Sequence, residues 1–122
     1  MNEELSKFER SVLERMVSRD SASSILRAQF EQLKVRKRWY SGAGLVTYFT
    51  IPEGVARVDA ARKTFPDRPD FTLEHPNLKI GAMAIGFLSD GVMDHLECVT
   101  YQGDWPGDET LFRISDATVH VG

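Results

Sequence analysis

Three side chains close together in the sequence, Asp94, His95 and Glu97, are of the types that move protons or hold metals. A neutral imidazole beside carboxylates can act as a general base or enter a ligand set. They fall within Ile80 to Tyr101, IGAMAIGFLSDGVMDHLECVTY, where Asp90-Gly91 separates two apolar runs. Such a pair signals a β-hairpin, because both central turn residues need positive φ. A two-residue turn sets Leu88 opposite Met93, Gly86 opposite His95, Ala84 opposite Glu97 and Met83 opposite Cys98. One face then carries Met83, Ile85, Phe87, Leu96 and Cys98 as core. The other places His95, Glu97 and Tyr101 around a floor of Ala82, Ala84 and Gly86, the outline of a ligand-binding or enzymatic pocket.

The same spacing limits that chemistry. In a regular strand His95 and Glu97 share a face while Asp94 points away, and the zinc helix motif needs two histidines at i and i+4. His75 and His120 would have to arrive from a loop and the tail, so neither a metal nor another cofactor is expected. A carboxylate in mid-strand at Glu97 is costly unless it meets water or a partner. The basic run Lys34, Arg36, Lys37 and Arg38 offers one, since an arginine can grip a carboxylate through two parallel hydrogen bonds. The preferred expectation is therefore a structural pair between Glu97 and an arginine of this run. Cys98, the single cysteine, lies on the expected core face and lacks the exposed, electropositive niche of a nucleophilic thiolate. No GxSxG elbow supports a catalytic serine.

The elements that position these residues follow from periodicity. Leu5, Phe8, Val12, Leu13 and Met16 recur at helical spacing and predict an amphipathic helix over 3–18. Asp20 or Ser21 can cap a second helix with Ala22, Ile25, Leu26, Phe30 and Leu33 on its apolar stripe, so residues 1–38 read as a helical hairpin. Residues 39–122 read as an antiparallel sheet. Leu45, Thr47, Phe49 and Ile51 would share one face of its first strand, Val46, Tyr48 and Thr50 the other. Residues 52–79 hold four of the five prolines and read as a long connection, with a short helix at Val55 to Lys63 and an extended edge segment at Phe71 to Glu74. Thr110 to Ile114 closes the sheet. The predicted fold is α+β: a helical hairpin packed on an antiparallel sheet of about four or five strands, in one domain, as a chain of 122 residues implies.

Charge distribution speaks to partners. Residues 1–38 carry nine Lys+Arg against six Asp+Glu, and residues 39–122 carry six against twelve. The C-terminal third is locally acidic, which disfavours nucleic acid and suits a basic protein. Asp94, Asp104, Asp108 and Glu109, with Trp105 between them in a Gly/Asp/Pro loop, form the candidate surface for such a partner, although a tryptophan there can instead cap the edge of the core. Self-association through the N-terminal helix or the last strand is a third option. The N-terminal residues lack an apolar signal-peptide core, and the longest weakly polar run, Ile80 to Leu88, falls far short of the roughly 18 residues of a membrane span. A soluble, cytoplasmic protein with no membrane contact is expected.

Taken together, Ser41-Gly42-Ala43-Gly44-Leu45-Val46-Thr47-Tyr48-Phe49, Ser89-Asp90-Gly91, Leu96-Glu97 and Tyr101-x-x-Asp104-Trp105-Pro106 resemble a group of small bacterial proteins of unknown function. These have two N-terminal helices, a GxGF-like strand and a DG…LE…Y…WP hairpin. More loosely, the chain is similar to immunity proteins that neutralise contact toxins. That likeness implies a non-enzymatic interaction module, an immunity-type inhibitor of a basic partner, and it carries no catalytic residues.

Overall fold

The computed structural model describes residues 3–116. Helix α1, Lys7–Arg19, begins at a capping box in which the Ser6 hydroxyl accepts from the Glu9 amide while the Glu9 carboxylate accepts from the Ser6 amide. It buries Phe8, Val12, Leu13, Met16 and Val17, and it ends at Asp20, whose backbone is extended. Helix α2, Ser23–Gln32, buries Leu26, Gln29 and Phe30. Its N-cap position falls on Ala22, one or two residues after the expected Asp20 or Ser21. Asp20 still serves the helix start, because its carboxylate accepts from the Ala22 amide at 2.8 Å.

The α+β class holds, but the antiparallel sheet has seven strands instead of four or five. The strands are β1 Lys34–Tyr40, β2 Gly44–Thr50, β3 Thr64–Phe65, β4 Phe71–Glu74, β5 Ala82–Ser89, β6 Val92–Thr100 and β7 Arg113–Asp116. Their order is β1-β2-β6-β5-β4-β7, with β3 also paired to β5. The surplus has two sources. The basic run assigned to the helical hairpin is the start of β1, and as a sheet edge its charges discourage pairing with another chain. The proline-rich connection contributes β3, and its expected edge segment Phe71–Glu74 forms β4 but lies inside the sheet, between β5 and β7. The expected helix at Val55 to Lys63 does not form; turns and irregular backbone occupy those residues.

One face of the sheet meets the helices through Val35, Leu45, Thr47, Phe49, Leu73, Leu88, Met93, Leu96 and Cys98, all buried. The buried Gln29 of α2 anchors the β5–β6 hairpin from this side. Its amide NH2 donates to the Ala56 and Gly91 carbonyls at 2.9 and 3.0 Å, and its oxygen accepts from the Met93 amide at 2.9 Å. The turn itself is as expected, with Asp90 at φ 52° and Gly91 at φ 79°. At Gly91 the absent side chain matters twice, since a Cβ there would also overlap the Val58 carbonyl.

Candidate functional site

The hairpin register departs from a regular ladder one pair beyond the turn. Leu88 pairs with Met93 as expected, but Phe87 pairs with His95, so Asp94 is the extra residue of a β-bulge. Every pair beyond it slips by one, and a one-residue slip exchanges faces. Glu97 now opposes Ile85, and Ala84 opposes Cys98. The supposed floor of Ala82, Ala84 and Gly86 therefore turns toward the core, where the Phe65 ring lies so close on Gly86 that a Cβ would overlap it. His95 and Glu97 stand on the opposite, helix-free face beside Val46, Tyr48, Ile85 and Phe87. The pocket outlined from the sequence is not built.

The bulge also unites a trio that strand alternation had separated. His95 Nδ1 lies 2.6 Å from Asp94 Oδ2, and Nε2 lies 3.3 Å from Glu97 Oε2. The ring can donate to both carboxylates at once only as the imidazolium. It stacks on Phe87 at 4.5 Å between centroids and leans on Tyr48 at 5.4 Å, while Arg36 and Lys37 cover the Tyr48 ring. Tyr101 does not join this group. At ~3.3 Å per residue it stands about 20 Å along the strand direction from His95, and it is exposed.

Glu97 has no arginine partner among the described residues; its contact is His95. The lock between helices and sheet exists with another carboxylate. Glu9 of α1, wholly buried, accepts from Arg38 Nε and Nη2 at 2.8 and 2.7 Å, from the Thr47 hydroxyl at 2.6 Å and from the Ser6 amide at 2.7 Å. Burial by itself pushes the Glu9 carboxyl up, yet the hydrogen bonds from Arg38, Thr47 and Ser6 together outweigh it and hold the group below its ordinary value. The signal was present in two forms: Ser6-x-x-Glu9 is a capping-box pattern, and Glu9 follows Phe8 within the buried stripe of α1. A similar carboxylate, Asp20, accepts two hydrogen bonds from Arg62 at 3.0 and 2.8 Å and one from the Asp67 amide.

The acidic loop after β6 is tied to the turn between β1 and β2. The Trp105 amide donates to the Gly42 carbonyl at 2.6 Å, and the Thr100 amide to the Ala43 carbonyl at 2.9 Å. Trp105 is half-buried against Phe8 and Phe112, with ring centroids 5.8 and 5.0 Å away, so it caps the core edge. Its indole N–H donates to Glu109 Oε2 at 2.8 Å. The same oxygen faces the Tyr40 hydroxyl at 3.4 Å. Burial, followed by the nearby Glu109 carboxylate, raises the Tyr40 phenol above its ordinary value. Tyr40, Gly42, Trp105, Pro106, Gly107 and Glu109 line an open hollow of about 310 Å³. Asp104 and Asp108 are exposed beside it. Hydrogen bonds from the Thr110 hydroxyl and amide hold the Asp108 carboxyl below its ordinary range. Asp94, grouped with this loop by charge alone, sits near the far end of β6, about 20 Å away by the same rise per residue.

Burial drives the Cys98 thiol far above its ordinary value, which leaves no thiolate for nucleophilic chemistry at neutral pH. His75 is held in the core edge, its Nδ1 accepting from the Asn77 amide at 3.0 Å and its Nε2 donating to the Asp108 carbonyl at 2.7 Å. Among the described residues no three His, Cys, Asp or Glu side chains are arranged to hold a metal ion; His120 lies outside them. No helix among them is long and apolar enough to cross a membrane. No protein-family description, curated protein or solved structure matches this chain.

Proposed function

We propose that the chain is a non-enzymatic protein-binding module that receives a basic partner on the loop 101–109 and the adjoining Tyr40, an immunity-type inhibitor being its most specific form. One observation carries the reading. Asp104, Asp108 and Glu109 enter no ion pair among the described residues and stand together in one loop, whereas the other carboxylates without one, Glu31, Glu53, Asp59, Asp67 and Glu74, are scattered along the chain. Carboxylates left without a cation beside two exposed tyrosines, Tyr40 and Tyr101 at 55% each, make a surface of the composition that recognises cations. The loop's hydrogen bonds to the β1–β2 turn fix this surface in advance, which lowers the ordering cost of binding.

An octalysine peptide serves as the defined probe, followed by amide chemical-shift mapping and by affinity at low and high salt. Shifts are expected to concentrate on residues 101–110 and Tyr40, with affinity falling as salt rises. Neutralising the loop with Asp104→Asn, Asp108→Asn and Glu109→Gln together keeps the hydrogen-bond acceptors and should abolish that focus. Shifts centred on Asp94 and Glu97, or unchanged affinity in the triple variant, would sink the reading.

A further inference from the structure

The hollow between Tyr40, Trp105 and Glu109 has the parts of a cation-binding cage: two aromatic walls, one carboxylate and a volume of about 310 Å³. Small-molecule sites begin near this size. Its walls are held in place. Trp105 is pinned by Phe8, Phe112 and the Gly42 carbonyl, and the Glu109 carboxylate is oriented by the indole N–H. No side chain of the described residues supplies the missing positive charge. Lys7 lines a neighbouring hollow together with Glu109, but forms no ion pair with it. We infer that this hollow binds a single alkylammonium group, the end of a lysine side chain or its methylated forms.

The choice of ammonium over guanidinium follows from the carboxylate's valences. Oε2 already faces the Trp105 N–H and the Tyr40 hydroxyl, whereas Oε1 takes no hydrogen bond among the described residues. A forked arginine pairing uses both oxygens, but a compact ammonium needs one oxygen and an aromatic face. Trp and Tyr are the rings that attract a cation most strongly. The inference rests on the basic-partner reading for the source of the cation and goes beyond it in naming one side chain and its seat.

Trp105 is its own reporter once Trp39, the other of the two tryptophans, is replaced by Phe. In the Trp39→Phe chain, fluorescence is titrated with tetramethylammonium, with acetylated amides of lysine, trimethyllysine and arginine, and with the neutral isostere of trimethyllysine in which carbon replaces nitrogen. The ammonium probes should give a saturable change, with the neutral isostere weaker by on the order of tenfold or more and the arginine probe also weaker. Glu109→Gln, which retains an acceptor for the indole, should cause a similar loss, and Tyr40→Leu a second one measured independently. Equal binding of the neutral isostere, tighter binding of the arginine probe, unchanged affinity in both variants or no saturable signal would overturn the inference. Octalysine mapping to the loop while every single-residue probe fails would retire the cage and leave the partner reading standing. Saturable ammonium binding without octalysine competition would do the reverse. Tetramethylammonium binding while the lysine and trimethyllysine amides fail would also overturn it, since a free ammonium ion and not a side chain would then be the guest.

Discussion

The pair that locks α1 to the sheet gives the sharpest energetic prediction. Glu9 is fully buried and accepts four hydrogen bonds, while Arg38 is 21% exposed and also reaches Glu3 Oε2 and the Glu4 carbonyl. The two deletions are therefore unequal. Glu9→Leu leaves a cation that keeps other partners, and its main cost is the orphaned Thr47 hydroxyl and Ser6 amide, about 3 kcal/mol in total. Arg38→Leu strands a carboxylate with two neutral donors in the core, at a cost of about 4 kcal/mol. At roughly 4 °C per kcal/mol for a domain of this size, melting should fall by about 12 and 16 °C. The double replacement should cost less than Arg38→Leu alone, because no buried charge remains. Acid separates the cases further. In the native chain the folded-state carboxyl sits below its unfolded value. Its contribution is thus complete above about pH 4.3 and is lost as pH falls through the lower folded value. Without Arg38 the sign reverses: burial raises the Glu9 carboxyl, and the variant's deficit shrinks as acid protonates it. Urea unfolding followed by far-UV circular dichroism at pH 7.5 and pH 5 reads both effects. A deficit below about 1 kcal/mol for Arg38→Leu, or one that grows between pH 7.5 and pH 5, would refute the account.

Three further outcomes are expected. Gln29→Leu leaves the buried Met93 amide without its partner, while the Gly91 carbonyl keeps the Val58 amide and the exposed Ala56 can turn to water, so stability should fall by about 1–3 kcal/mol and the Met93 amide should exchange faster with deuterium. Gly86→Ala puts a methyl against the fully buried Phe65 ring and should cost about 1–3 kcal/mol, partly recovered by Phe65→Leu in a urea titration of the pair. Deleting Asp94 removes the bulge while keeping Phe87 opposite His95, so the chain should keep its amide spectrum beyond the turn and lose no more than about 2 kcal/mol; collapse of that spectrum would mean that the bulge is required for folding.

That deletion also shows where sequence reasoning stops. The Asp90-Gly91 turn was legible because two adjacent residues must adopt positive φ, and few side chains tolerate it. The helices were legible from apolar spacing, and the alternation of β2 from Leu45 to Phe49 was legible for the same reason. A bulge leaves no such mark. It is one residue too many in a ladder whose partner strand is fixed by contacts elsewhere, and Ala82, Ala84 and Gly86 change faces relative to His95 and Glu97 without any change in composition. The error at Glu97 has the same root. A carboxylate paired with a bidentate arginine was the right interaction to expect between helices and sheet, and Arg38 came from the right run. What decided the partner was which carboxylate lost its water. Glu97 stayed on the helix-free face, whereas Glu9, beside Phe8 in the buried stripe of α1, had to find four donors to remain charged. The Tyr40–Trp105–Glu109 hollow is less legible still. Its walls come from β1, from the loop after β6 and from the short turn that follows it, brought together by the hydrogen bonds joining Gly42 to Trp105 and Ala43 to Thr100 and by the packing of Trp105 on Phe8 and Phe112.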